Sequence, residues 1–400
     1  MPWDDGTSTG RTLGDLERLI KKQQRPLGNR VGVLGDSIMA NSFTQASKLR
    51  GDKDPIHWAH LLSNSRIRYG RNAGVSGNTL AQMRARVQSD IIAPGDVDVC
   101  VVMGGTNDSG GGVAVSQSMT DLQAIVSALL SADIRPIVCT PPPVPTTPVE
   151  SPTRRRRWDQ LNAWIKGWCP ANRIQMVDVA KVLTDPTTGG YIAAYDGGDG
   201  IHPSATGAKA IGQAIHDVVT PLLPPWTPPL AVFQTSDALN LMTNGLFLTD
   251  TNADGVSDGW VKTGSSTASR VTGDANIMGV WQRFQETTTN QFTQLTMSSN
   301  ISNANFAIGD KVAFMGRIQI DSTGGVVIFS TGFVGASPSV NWRPISSFSI
   351  PTGGPLTFYE EYIVPPGTTA INASFQMQSG VGMDFRIGQL TILNLTALGL

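Results

Sequence analysis

A chain of 400 residues exceeds one ordinary hydrophobic core and divides naturally into two domains. With 40% hydrophobic and 15% charged residues, the composition excludes a disordered or fibrous chain. A formal charge of −1 gives no general attraction to nucleic acid or to an anionic membrane, and neither partner is expected.

The segment Met1 to Gly10 has no basic leader and no apolar run, so a Sec-type signal peptide is not expected. No apolar run anywhere is long enough for a spanning helix. Within residues 1–27, Leu13, Leu16, Leu19 and Ile20 fall at helical spacing among charged residues. They predict an N-terminal helical segment, either packed on the domain behind it or used for docking or oligomerisation. Over 28–222, short apolar runs at Val31–Gly35, Ile67–Gly70, Val97–Met103, Pro136–Thr140 and Ile174–Val179 alternate with helical periodicities. Those periodicities run from Leu80 to Ile91, Leu122 to Leu130, Arg154 to Ile165 and Ala210 to Val218. Strands separated by helices pair in parallel through right-handed crossovers. Near-continuous apolar strands need cover on both faces, so the expectation is a three-layer α/β/α parallel sheet.

The prolines between Pro221 and Pro229 read as a stiff linker over 223–230. Residues 231–400 then change grammar. Val312, Phe314, Ile318 and Ile320 keep a period of two, as do Ile371, Ala373, Phe375 and Met377, and Pro365-Pro366-Gly367 marks a turn. An all-β, jelly-roll-like sandwich of two sheets is expected there. The three cysteines, Cys100, Cys139 and Cys169, lie in core or helix segments and form no CxxC pair. They read as small buried hydrophobes, not as a disulfide framework or zinc ligands.

Four segments of the first domain carry chemistry. The run Val31-Gly-Val-Leu-Gly35-Asp36-Ser37 ends a strand on a serine, at the sheet edge where open parallel sheets form their sites. Alone, so short a match reads first as an Asp or Ser capping the next helix. Asn72-Ala-Gly74-Val-Ser-Gly77-Asn-Thr79 follows the second strand; its glycines allow backbone amides to approach a ligand, or simply make a turn. Gly104-Gly105-Thr106-Asn107-Asp108 follows the third strand and offers a side-chain amide at the same mouth, or an ordinary Asn at a turn. In Asp199-Gly-Ile-His202-Pro203 the carboxylate stands three residues before an imidazole, a spacing that lets it fix the ring's tautomer. His57, His60 and His216 lie in helix-like stretches without such a partner and read as packing or surface residues.

In this order and at these separations, the four segments resemble the four consensus blocks of the SGNH (GDSL-type) hydrolases. The likeness spans about residues 28–220. It implies a flavodoxin-like α/β/α fold and a serine esterase that needs no metal or organic cofactor. By motif, Ser37 matches the nucleophile, and Asp199 and His202 match the rest of the catalytic triad. The implied oxyanion hole is made by the Ser37 amide, the Gly77 amide and the Asn107 side chain, with Gly74 as the other block II glycine. Ile38 stands where the family usually has Leu.

The second domain opens on Asp250-Thr-Asn252-Ala-Asp254-Gly255, which copies the first half of a calcium loop, but Val261 occupies the place of the closing Glu. Structural calcium there competes with a solvated Asx-rich turn. The stretch from Asn244 to Trp260 resembles the opening of carbohydrate-binding β-sandwich modules, and the end from Ile387 to Leu400 resembles those of bacteriophage tail-associated proteins. Together these likenesses point to an esterase removing short acyl groups, acetyl first among them, from a bacterial surface glycan. The implied location is a phage tail or the extracellular medium after lysis, with the cytoplasm as the alternative. The partner is an acylated glycan, and a homo-oligomer is a candidate state. The rival readings are a general carboxylesterase or lipase, and a structural virion protein without catalysis. The run Arg154–Arg157 reads as a glycan contact or as a solvated helix start.

Overall fold

Five of the apolar runs pair as parallel strands in a computed structural model that describes residues 28–41, 43–44, 49–144, 152–231, 239–286, 292–322, 325–336, 340–378 and 382–400. The helix expected within 1–27 lies outside the described residues. The strands are β1 (Arg30–Gly35), β2 (Arg68–Gly74), β3 (Val99–Met103), β4 (Arg135–Cys139) and β5 (Gln175–Val177). Their order is β2-β1-β3-β4-β5, all parallel, the doubly wound order of flavodoxin-like sheets. The chain leaves β1 toward one edge and later returns to its other side, which makes the carboxyl end of β1 the switch point where such sheets place their sites.

The inner strands are mostly apolar because alternate side chains enter two different cores, while β2, at the sheet edge, carries Arg68, Tyr69, Arg71 and Asn72. On one face Val31, Val33, Val101 and Ile137 pack with Ile56 and Ala59 of α2 and with Ile211 and Ile215 of α8. On the other, Leu34, Cys100, Val102 and Val138 pack with Leu80, Met83, Leu122, Ile125 and Leu161. The helices in chain order are α1 (Ser37–Ala40), α2 (Pro55–Leu62), α3 (Leu80–Val87), α4 (Thr106–Gly111), α5 (Val115–Ser131), α6 (Pro152–Ala171), α7 (Val179–Leu183) and α8 (Ala205–Val219). The fifth run, expected as one strand over Ile174–Val179, divides. Asp178 ends the strand and caps α7, its side chain accepting from the Lys181 amide at 3.1 Å. All three cysteines are buried and free.

The C-terminal half forms β6 (Trp260–Thr263), β7 (Thr267–Val271), β8 (Trp281–Glu286), β9 (Phe292–Met297), β10 (Lys311–Ser322), β11 (Val326–Val334), β12 (Val340–Phe348), β13 (Leu356–Ile363), β14 (Ala370–Gln378) and β15 (Met383–Asn394). They build two antiparallel sheets, β13-β10-β15-β8-β7 and β12-β11-β14-β9-β6, with the short strand Ile301–Ser302 added to β14. Phe314, Phe329, Phe358, Phe375 and Phe385 fill the space between them, and the rings of Phe329 and Phe375 stack at 3.7 Å.

The two halves share a core. Trp58 and Leu61 of α2 belong to the same buried cluster as the sandwich phenylalanines, and Trp58 lies 5.0 Å from Phe348. The polar groups around this junction are paired across it. Arg50 meets Glu360 with both arms of its guanidinium, Nε at 2.5 Å and Nη2 at 2.8 Å, and both side chains are under 5% exposed. Asp52 accepts from the Ser349 amide and hydroxyl at 2.8 and 2.6 Å. His57 and His60 are fully buried here, as packing residues. His60 Nδ1 contacts the Ile67 carbonyl at 2.7 Å, and its Nε2 accepts from the Tyr359 amide at 3.3 Å. His216 does have an acidic neighbour, contrary to the sequence reading, with Asp217 at 2.9 Å. The proline-rich stretch lies against both halves. Arg66 donates to the Leu223 and Pro224 carbonyls, and Trp226 packs edge-on against Tyr359 at 4.9 Å.

Removing one member of a buried ion pair strands the other charge, which costs about 3–5 kcal/mol. Arg50→Met should therefore lower the unfolding free energy by about that much in urea denaturation, far more than the loss of an exposed pair. A change under about 1 kcal/mol would show that Glu360 finds another partner.

Candidate active site

β1 stops at Gly35, where a side chain would collide with Met39 at 2.6 Å. Asp36 then caps α1, its Oδ1 accepting from the Ile38 amide at 3.0 Å, and Ser37 becomes the first helical residue at the sheet edge. The helix-capping role that the sequence allowed for Asp36 is thus real, and it serves to present the serine. Asp36 is 1% exposed, and burial raises its carboxyl to about 6 despite the Ile38 bond and the nearby His202.

The two glycines of the second segment separate cleanly. Gly74 ends β2 against α1, and a Cβ there would meet the Ala40 nitrogen at 2.5 Å, so its absent side chain serves packing. Gly77 is exposed at the mouth with φ +77°, and a Cβ would meet nothing within 4 Å. Its requirement is the left-handed backbone, which turns the loop before α3. Asn107 is the second residue of α4, whose start is turned by Gly105 at φ +110°. Asn107 Nδ2 donates to the Asn78 carbonyl at 2.9 Å, joining the third segment to the second. That nitrogen carries two protons, and this bond uses one of them. Asp108, which sequence reasoning did not single out, accepts from the Leu80 amide at 3.0 Å and from the Ser118 hydroxyl at 3.1 Å. It binds α4 to α3 and α5.

His202 arrives from the loop before α8. Asp196 accepts from the Gly198 and Gly200 amides at 2.9 Å each, and Asp199 Oδ1 accepts from the Ile201 and His202 amides at 2.9 and 2.8 Å. In this turn Asp199 Oδ2 lies 2.7 Å from His202 Nδ1, and His202 Nε2 lies 2.8 Å from Ser37 Oγ. An ionised carboxylate only accepts, so Nδ1 carries the ring proton and Nε2 is left to accept from the serine hydroxyl. Burial pushes the Asp199 carboxyl up, but its bonds from the His202 ring and from the His202 and Ile201 amides outweigh this and hold it at about 2. Of the five residues expected at the site, Ser37 opens α1 and Asn107 lies in the first turn of α4, while Gly77, Asp199 and His202 lie in loops.

The arginine run beside the site is neither free for a ligand throughout nor merely solvated. Arg157 donates to the Ser109 carbonyl of α4 at 2.7 Å and Arg155 to the Gly189 carbonyl of a neighbouring loop at 2.8 Å, tying both to α6. In the β half, the loop opened by Asp250 is closed by its own donors. Asp250 accepts from the Gly255 amide at 3.1 Å, Asp254 from the Val256 amide at 2.8 Å and Asp258 from the Thr251 amide at 3.0 Å. Among the described residues, no group of three or more His, Cys, Asp or Glu is placed to hold a metal ion. No helix among them is long and apolar enough to cross a membrane.

Residues 33–210 match the family model described as the GDSL-like lipase/acylhydrolase family. Among solved structures, the chain is similar to a GDSL-like lipase from Bacteroides thetaiotaomicron, with 19% identity, 53% of this chain and 100% of that one covered, and a TM-score of 0.39. It is also similar to a catalytic mutant of Axe2, an acetylxylan esterase from Geobacillus stearothermophilus, with 20% identity, 50% and 99% covered, and a TM-score of 0.42. No curated protein matches the sequence.

A carboxyl depressed in the folded state stabilises the fold above its ordinary value near 3.8, and that contribution disappears as the pH falls through about 2. The Asp199 carboxyl carbon, followed by NMR, should therefore show no titration between pH 7 and about 3. A midpoint near 4 would mean that the turn does not hold the carboxylate as described.

Proposed function

With residues 33–210 forming a domain of the GDSL-like lipase/acylhydrolase family, we propose that the protein is a serine esterase that removes short acyl groups, acetyl above all, from a bacterial surface glycan. The observation that carries the catalytic part is the 2.8 Å contact of Ser37 Oγ with a His202 ring whose other nitrogen is held by Asp199. The Ser37 hydroxyl attacks the ester carbonyl as its proton passes to His202 Nε2, and Asp199 stabilises the imidazolium without taking the proton. The new oxyanion is met by the Ser37 and Gly77 amides and the Asn107 side chain, each donor worth about 3–4 kcal/mol in the transition state. The tetrahedral adduct collapses, the C–O bond to the alcohol breaks, and His202 returns its proton to the leaving oxygen. Water then repeats the sequence on the acyl-enzyme, with His202 as base and Ser37 as leaving group. The chemistry calls for no cofactor.

The substrate part rests on the character of the mouth. The Asp199 side chain is 52% exposed, Ser76 and Gly77 are exposed in the loop before α3, and Gly198 is exposed in the turn that carries His202. Small, polar and open surroundings suit a short acyl group on a bulky hydrophilic alcohol better than a long acyl chain, which needs an apolar groove. The same reading assigns the β-sandwich to holding the polymer, and places the protein in a phage tail or outside the cell after lysis, with the cytoplasm as the alternative.

Acetate release from an acetylated bacterial polysaccharide, alongside aryl acetates and long-chain aryl esters, tests this. Turnover should favour the acetates, a fluorophosphonate probe should label the protein, and Ser37→Ala should abolish labelling and lower kcat by at least about 10⁴-fold. Turnover confined to long-chain esters would replace the glycan reading with a lipase; no labelling and no turnover would leave a structural virion protein.

A further inference from the structure

The three implied oxyanion donors stand on three separate segments, and one side chain bonds directly to two of them and to the third through Asn78. Arg86 projects from α3 and is 16% exposed. Its Nη2 donates to the Gly35 carbonyl at 2.7 Å, two residues before Ser37. Its Nη1 donates to the Ala73 carbonyl at 2.6 Å, at the end of β2. Its Nε donates to Asn78 Oδ1 at 2.7 Å, next to Gly77. The Asn78 carbonyl in turn accepts from Asn107 Nδ2 at 2.9 Å. Asp90, one turn further along, accepts from Nη1 at 3.0 Å and holds the guanidinium from behind.

We propose that Arg86 is the positioning residue of the oxyanion pocket, fixing the relative places of the Ser37, Gly77 and Asn107 donors; this rests on the esterase reading above. The argument is geometric. Gly35 already receives the Val75 amide at 3.1 Å, so its second lone pair is what Arg86 takes. A planar guanidinium donates in three fixed directions at once, which a lysine ammonium on a flexible stem does not reproduce. The base of α3 is set independently, by the Thr79 and Gln82 capping box and by the Leu80 amide on Asp108. Arg86 therefore reaches back from a helix already anchored to the third loop and clamps the first two. It touches none of the reacting atoms. Its contribution appears where the donors must meet a charge that exists only in the transition state, and misplacement of such groups by about 1 Å costs up to about 100-fold.

The test compares wild type, Arg86→Met, Arg86→Lys and Arg84→Met with a short-chain aryl acetate, and measures the affinity of phenylboronic acid, whose adduct on Ser37 is tetrahedral and anionic. Arg84 lies two residues away on the same helix, is 52% exposed and pairs with Asp121, so it controls for losing an arginine from α3. Both Arg86 variants should lose about 10- to 100-fold in kcat with KM changed by less than about threefold. Boronate affinity should fall by a factor similar to kcat. The pH profile should keep its inflections, because the His202–Asp199 pair is untouched, and Arg84→Met should stay within about twofold.

Folded Arg86 variants that keep kcat within about twofold would overturn the proposal, as would a kcat loss without a matching loss of boronate affinity. If Arg86→Met does not fold, Arg86→Lys decides by the same criteria. Failure of both to fold would overturn the proposal by making Arg86 a residue of the fold itself. A wild type that neither turns over nor labels with fluorophosphonate would overturn the esterase reading and this one together. An active wild type with unimpaired Arg86 variants would overturn this one alone.

Discussion

The hydrogen bond between Ser37 and His202 joins residues 165 apart in sequence. Closing a loop of that length costs about 4–5 kcal/mol in chain entropy. A hydrogen bond of this kind returns only about 0.5–1.5 kcal/mol. The contact therefore cannot assemble the site; it has to be delivered by structure already formed. What delivers it is the reversal of strand order at β1. With β2 on one side and β3 on the other, the segments that follow all three strands emerge at one sheet edge. The loop before α8 needs only to lean over that edge. The cost of convergence falls on two apolar cores instead of on the polar groups that do the chemistry.

Within that frame, small residues decide how closely the loops approach. A side chain at Gly35 would strike Met39, and one at Gly74 would strike the backbone of Ala40. Both positions keep β1, β2 and α1 in contact behind the serine. Gly77 differs in kind, since space is open there and only the backbone angle demands glycine. One motif thus holds a glycine for packing and another for a left-handed turn.

The parts of the fold readable in the sequence are those governed by local period and local spacing. Alternate residues of β1 enter two cores, and both signals are present in Val31, Val33 and Leu34. Asp199 and His202 are three residues apart, and the turn between them needs no distant partner. The divided run at Ile174–Val179 shows the limit of such a reading, because one polar residue, Asp178, was enough to stop a strand and cap a helix. Long-range pairs left no local signal. Arg50 and Glu360 lie 310 residues apart, and His60 meets the Tyr359 amide across 299. Arg86 is hidden for another reason. Two of its acceptors are backbone carbonyls, which every residue carries, so no residue type marks its targets. The same holds for Arg155 and Arg157, whose run looked like a surface feature.

The shared core gives the β-sandwich a mechanical part in the first half of the chain. α8 begins directly after the His202 turn, capped by Ser204, whose hydroxyl oxygen accepts from the Gly207 amide at 3.1 Å. Two residues beyond, Lys209 donates to the Pro351 and Thr352 carbonyls of the sandwich at 3.0 Å each. Gly212 lets the same helix lie against α2 so closely that a side chain there would strike Trp58 at 2.4 Å. Trp58 is itself part of the sandwich core. The helix that fixes the approach of the histidine is thus held on one side by the parallel sheet and on another by the β half. A domain hung on a flexible tether would leave Lys209 of α8 and Trp58 of α2 to be covered by other means. Here that surface is already filled, so the sandwich and the Ser37–His202 contact belong to one packed unit.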